Sequence, residues 1–297
     1  MKLSRLFLAL CLAGLACTAQ AQDPAKALGG LFRQVVPGGL PGTPGTATVR
    51  APATNELIEL LSQSVDSIDE PREIEIGRQL AAVLLGSKPL HRDASLQRYV
   101  NRHGRWIALQ SARPQLPWTF GVLDDPGFNA FAAPGGYVFV TKGLVDRVDE
   151  AELAGILAHE ITHVNRRHHL RALAAGARAG IATQAIASQL RGGASALSAQ
   201  VLAVGRNMYA RGLDQGDEFE ADREGVALAA RAGFDPYGLP SVLQQLRTAS
   251  PSDPLFTLTL GTHPAAQQRL EQLEVAMGTR LDALAGQPSV PIATRLR

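Results

Sequence analysis

The chain has 297 residues, 45% hydrophobic and 19% charged, enough for one large globular domain with its own core. The formal net charge of +2 is carried by Lys2 and Arg5 of an amino-terminal segment that reads as removable. The near-neutral remainder has no electrostatic footprint for nucleic acid, so no nucleic-acid partner is expected.

That segment begins with the basic Met1-Lys2-Leu3-Ser4-Arg5, continues with an apolar run from Leu6 to Ala16, and ends in Ala19-Gln20-Ala21. It reads as a secretory signal over residues 1–21, too short to span a bilayer comfortably. Both cysteines, Cys11 and Cys17, leave with it, so the mature chain has no disulfide to form. Leu15-Ala16-Cys17 also resembles part of a lipobox, which makes lipidation at Cys17 the alternative processing, although Gly14 stands where such boxes usually have Leu.

Residues 22–54 are rich in Gly, Pro, Ala and Thr and read as a flexible leader that cannot bury enough apolar surface to offset its ordering entropy. The domain is expected over residues 55–285, with 286–297 as a tail. Helical periodicity begins near Glu56 and resumes through Ile74, Ile76, Leu80, Val83 and Leu84; a further helix is expected from Ala94 to about Ala108. Trp118 to Leu123 and Tyr137 to Thr141 have strand texture between Asp-Pro-Gly and Pro-Gly-Gly turns, which predicts a small antiparallel sheet. Asp149 and Glu152 form a capping-box start for the next helix, which runs through residue 163. No internal repeat of 20 to 50 residues is present.

That helix carries His159-Glu160-Ile161-Thr162-His163. Histidines four apart lie about 40° apart around a helix axis and one turn along it, so both imidazoles can reach one tetrahedral Zn²⁺. Glu160 can approach a metal-bound water without being a ligand and take its proton as the water attacks a carbonyl. His169 is one candidate third ligand. On an unbroken helix it lies about 15 Å further along and about 80° off the metal-facing side, with His168 on the opposite face; Arg166 stands where a Gly would permit a break. The other route is a carboxylate, and none occurs from Ile161 to Leu213. Glu218 and Asp222, four apart on one face of the following helical pattern, can divide the work: one binds zinc and the other orients an imidazole. Glu220 points elsewhere.

These residues together resemble the gluzincin metallopeptidase family that includes HtpX and the CAAX prenyl protease, in particular its soluble periplasmic branch. The resemblance implies that His159, His163 and Glu218 are the zinc ligands and that Asp222 is the residue behind them. Asn129 to Val140 is similar to the family's segment before the catalytic helix, implying an edge strand that pairs with extended peptide through Asn129, Ala130, Gly136, Tyr137 and Val138. Thr262-His263-Pro264 with Arg269 resembles a late His-Pro-x4-Arg motif. It places Arg269 with the substrate-binding residues and His263 in the catalytic site, as an oxyanion donor or a cover over the zinc. His263-Pro264 also suits a helix start.

The expected fold is α+β and zincin-like, mostly helical with a small antiparallel sheet. The implied function is zinc-dependent endopeptidase action on unfolded or misassembled envelope polypeptides, in periplasmic quality control of outer-membrane proteins. A chaperone-like assembly factor with a mostly closed zinc site and a secreted endopeptidase acting on foreign protein are the other readings. Residues 164–213 carry Arg166, Arg167, Arg171, Arg178, Arg191, Arg206 and Arg211 with no acid. They could lie on anionic lipid as a peripheral outer-membrane contact, or form an ordinary solvated helix.

Overall fold

The computed structural model describes residues 65–176, 213–250, 253–256, 259, 263 and 265–295. The signal segment with Cys17, the leader, the periodicity near Glu56 and four of the seven arginines (Arg178, Arg191, Arg206 and Arg211) lie outside the described residues.

Helix α1 (Glu70–Ser87) starts where Asp69 accepts a hydrogen bond from the Arg72 amide, with a proline in its first turn; both features favour a helix start. Helix α2 (Ala94–Ala108) is capped by Asp93 and occupies the expected range. Three strands follow: β1 (Thr119–Leu123), β2 (Ala130–Ala133) and β3 (Tyr137–Thr141). Their order is β1-β3-β2. The sheet is mixed rather than wholly antiparallel: β3 runs antiparallel to β2 and parallel to β1. The chain passes from β1 to β2 first, then returns between them as β3. The return is made at Gly135 (φ 76) and Gly136 (φ 100), in the left-handed region that glycine tolerates.

Side chains alternate across this sheet. Phe131, Tyr137 and Phe139 pack with Ile76 and Leu80 of α1, while Ala132, Val138 and Val140 join Leu153, Leu157 and Ile161 on the other side. Both faces are covered, so every position of β3 is buried, and its sequence is an apolar and aromatic run up to the final Thr141, whose hydroxyl is hydrogen-bonded to the Gly127 and Asn129 carbonyls. The outer edge of β1 is closed by side chains of α2. Gln97 accepts from the Val122 amide and donates to its carbonyl, both at 2.8 Å, and Asn101 accepts from the Phe120 amide.

A short α3 (Lys142–Val145) leads to α4 (Glu150–Asn165), whose start is the expected capping box of Asp149 and Glu152. Helices α5 (Gln215–Arg231), α6 (Gly238–Thr248) and α7 (Ala266–Met277) complete the helical side, and a last turn, α8, spans Ile292–Arg295. The stretch set apart as a tail is docked: the Glu150 amide donates to the Val290 carbonyl, the Ala151 amide to Ser289 Oγ, and Ile292 is fully buried. These bonds satisfy amides at the start of α4 that no helix can satisfy internally. Among the described residues no helix is long and apolar enough to cross a membrane.

Candidate metal centre

Helix α4 presents His159 and His163 one turn apart, their rings edge-to-face and their Nε2 atoms 3.0 Å from each other. Helix α5 crosses α4 at Gly225, where a Cβ would stand 2.9 Å from the His159 amide nitrogen. This close approach carries Glu218 and Asp222 to the histidines. Glu218 Oε2 lies 3.6 Å from His159 Nε2, and Glu218 Oε1 lies 3.7 Å from His163 Nε2. The donor atoms of His159, His163 and Glu218 all fall within 4.8 Å of one another, and all three residues are buried.

The charge states suit a cation. Burial opposes ionisation of Glu218, but His263, His159 and Arg269 outweigh it and hold the carboxyl at about 2. Burial, reinforced by the neighbouring histidines, pushes His163 well below the usual imidazole value, so it is neutral. Neutral imidazole and ionised carboxylate are the forms that ligate a metal. Glu218 Oε1 is buried with no hydrogen-bond partner among the described residues, a condition that costs about 1–3 kcal/mol unless something satisfies it. A divalent metal fits that atom and the two Nε2 atoms facing it.

Behind His159, Asp222 Oδ1 lies 2.9 Å from Nδ1. Arg269 donates to both oxygens of Asp222, at 2.8 and 2.6 Å. Burial opposes the Asp222 charge, yet the Arg269 guanidinium holds its carboxyl well below the usual carboxylate range. Arg269 was expected among residues that meet substrate. It lines the same cleft as His159, Glu160 and His263 but is buried, with its planar fork engaged by Asp222, so its immediate effect is on the carboxylate behind His159.

Glu160, next to His159, is buried and its carboxyl is raised by burial, an effect partly offset by the neighbouring His159 and His263. His263 places Nδ1 2.7 Å from Glu218 Oε2, its ring 5.9 Å from that of His159. Burial would lower its pKa, but Glu218 outweighs burial and raises it. The helix-start reading of His263 does not hold. Helix α7 begins at Ala266 with Ala265 at the cap, and the His263 ring is turned to Glu218.

Asn129 and Ala130 line a cleft with Phe128, Ile156 and Leu243, with His159, Glu160 and His263 at its polar end. Gly136, Tyr137 and Val138 do not share that position. They start or lie on β3, the middle strand, and the Gly136 carbonyl already accepts from the Thr119 amide at 2.9 Å. A strand paired on both sides has no ladder groups to offer a peptide; the expected edge strand is β2 alone among the described residues.

The chain breaks after α4, where the sequence predicts a continuous helix. Arg167 has φ 56 and is the only non-glycine residue with positive φ among those described. A left-handed arginine costs roughly 1–2 kcal/mol, and the surroundings hold it: Arg167 Nε lies 2.9 Å from Oε2 of the buried Glu73. Helical structure then resumes at residue 168. His168 is consequently not on the opposite face but fully buried, its Nδ1 2.8 Å from His163 Nδ1. His169 is also buried, its ring 5.3 Å from that of His163, outside the set of converging donors. No glycine or proline marks the break, and Glu73, the residue that secures it, is 94 positions upstream of Arg167. The described arginines of the acid-free stretch meet acids from other elements: Arg166 faces Glu220 and Glu224, Arg171 faces Asp217, and Arg167 faces Glu73.

Comparison with known proteins bears on this site. The model of peptidase family M48 matches residues 92–276, from the start of the α2 region to the end of α7. This chain belongs to peptidase family M48. The α+β arrangement is the zincin-like fold of that family, and membership implies a metal cofactor. The chain is 30% identical over 230 residues to the beta-barrel assembly-enhancing protease of Escherichia coli K12, covering 74% of this chain and 47% of that one. It is 31% identical over 178 residues to mitochondrial metalloendopeptidase OMA1 of Schizosaccharomyces pombe, covering 59% and 51%. It is 28% identical over 187 residues to a protease HtpX homolog of Salinibacter ruber, covering 52% and 66%. The chain thus spans about half the length of the first two relatives.

Proposed function

We propose that this M48 protein is a zinc-dependent endopeptidase that hydrolyses unfolded or misassembled polypeptides of the cell envelope. The observation that carries the reading is the convergence of His159, His163 and Glu218 around the orphaned Glu218 Oε1, with the Glu160 carboxyl beside it. His159, His163 and Glu218 would hold the metal. Zinc, when bound, supplies Lewis-acid polarisation and a more acidic water. Glu160 accepts the proton of the attacking water and delivers it to the leaving amine, a role that its raised affinity for protons suits. Asp222 fixes the His159 ring, with Arg269 balancing the charge. The polypeptide lies in the cleft beside β2, where Asn129 and Ala130 face the polar end.

Quality control of outer-membrane proteins is supported by the assembly-enhancing protease among the relatives, and a periplasmic location by the signal-like residues 1–21. Contact between His263 and Glu218 supports a second feature, a centre that is partly closed at rest.

Purified protein should bind about one zinc per chain and hydrolyse casein. Glu160→Gln should keep the zinc and lose roughly a hundredfold or more of the rate. Hydrolysis retained by a zinc-replete Glu160→Gln protein would overturn the assignment of the base; absence of zinc and hydrolysis from the wild type would overturn the function.

A further inference from the structure

A neutral imidazole that gives its Nε2 lone pair to a metal carries its proton on Nδ1, and that proton needs an acceptor. His159 finds a carboxylate there, Asp222 at 2.9 Å. His163 does not. Its Nδ1 faces another imidazole nitrogen, His168 Nδ1, at 2.8 Å. Two facing ring nitrogens make one hydrogen bond only when one of them is bare. With His163 as donor, His168 must accept at Nδ1 and carry its own proton on Nε2. That nitrogen lies 3.2 Å from Glu220 Oε2 and 3.6 Å from Asp217 Oδ1. Every proton in the series has an acceptor, with one tautomer for each ring.

We propose that His168 is a positioning residue for His163. It accepts the Nδ1 proton, and so fixes the orientation and tautomer of the ligating ring, while Glu220 and Asp217 anchor it from behind. The inference rests on the metal-centre reading above. Its geometry is built by the fold: the left-handed turn at Arg167, secured by Glu73, sends the chain back so that His168 is buried against α4. His168 with Asp217 and Glu220 could also be read as a second cation site, since their donor atoms cluster. That reading is weaker, because Arg171 already occupies Asp217 at 2.8 Å and Arg166 approaches Glu220 at 3.2 Å.

The test uses the full mature chain, zinc affinity measured against a chromophoric chelator, and ¹⁵N spectra of the zinc-loaded protein that report which ring nitrogen bears each proton. His168→Asn presents an amide oxygen close to where Nδ1 stood and should keep zinc affinity within about threefold. His168→Leu keeps bulk without an acceptor and should weaken zinc binding by about 10–100-fold. In the wild type, His168 should carry its proton on Nε2. Equal affinity for Leu, Asn and wild type, equal losses in both variants, or a His168 proton on Nδ1 would each overturn the proposal. Failure of the wild type itself to bind zinc is visible before any variant is compared, and that result removes the metal-centre reading instead.

Discussion

The two histidines of the centre sit on the same helix four residues apart, yet their surroundings differ. On the His159 side a buried carboxylate, Asp222, meets the imidazole directly and is balanced by the buried Arg269. On the His163 side a neutral imidazole, His168, stands between the ligand and its carboxylates, and those carboxylates are partly exposed, with Asp217 at 21% and Glu220 at 32%. A buried charge needs a buried countercharge, because desolvation is otherwise too costly. The first side therefore requires α7 to bring Arg269. The second side avoids that requirement by keeping its charges near water, where Arg166 and Arg171 can meet them at little cost. Glu218 stands between the two sides and faces both Nε2 atoms.

The largest expected effect comes from removing what the sides share. Glu218→Ala should reduce zinc affinity by roughly a hundredfold or more and abolish hydrolysis with it, whereas His169→Ala should stay within a few-fold, since its ring is outside the converging donors. Metal analysis of both variants decides; zinc lost from His169→Ala and kept by Glu218→Ala would exchange the two residues' roles. Next is His263, which leans on Glu218. If that contact closes the centre, His263→Ala raises basal casein hydrolysis. A fall in maximal rate of roughly a hundredfold would make it an oxyanion donor instead. A rate titration against substrate separates the two by sign.

The His159 side is tested by Asp222→Asn, expected to weaken zinc binding by about 10–100-fold. It should also lower stability, because it leaves the Arg269 guanidinium buried without its countercharge, a loss of about 3–5 kcal/mol for buried pairs broken on one side. Thermal unfolding of the zinc-free protein isolates that second effect. Full stability in the variant would mean that the pair is more hydrated than its burial implies.

Local patterns made much of this legible. The capping box at Asp149, the helix over residues 94–108, the four-residue spacing of the histidines and that of Glu218 and Asp222 all depend on neighbours close in sequence. Contacts between distant segments were not legible in the same way. The parallel pairing of β1 with β3 follows from β2 coming between them in sequence yet lying outside them in the sheet, and Ala130-Phe131-Ala132-Ala133 lacks the β-branched residues that mark a strand. The break at Arg167 depends on Glu73, and the burial of Arg269 depends on Asp222, 47 positions away in the sequence. Arginine in a left-handed conformation has no signature in the sequence, so the sequence reads as an unbroken helix that puts His168 on the face away from His163. The same helix geometry rules out His169 as a ligand; the break brings its ring near His163, and it is still outside the converging donors.

The smallest expected effect is on the outer carboxylates of the His163 side, and it is the one that most sharply tests the contrast between the sides. Glu220→Ala removes the nearer acceptor of the His168 Nε2 proton, but Asp217 Oδ1 is only 3.6 Å from the same nitrogen and can take it over. Zinc affinity should therefore fall by less than about threefold, as expected where an exposed charge is screened and replaceable. Combining Glu220→Ala with Asp217→Ala removes both acceptors and should bring the loss to about tenfold, more than the two single changes predict together, because residues sharing one partner are not additive. Raising the salt concentration should shrink this double-variant effect and leave the Asp222→Asn effect nearly unchanged, since screening reaches exposed charges and not buried ones. A Glu220→Ala protein as impaired in zinc binding as Asp222→Asn would show that both ligating imidazoles depend on their carboxylates to the same degree, despite the imidazole that stands between on one side.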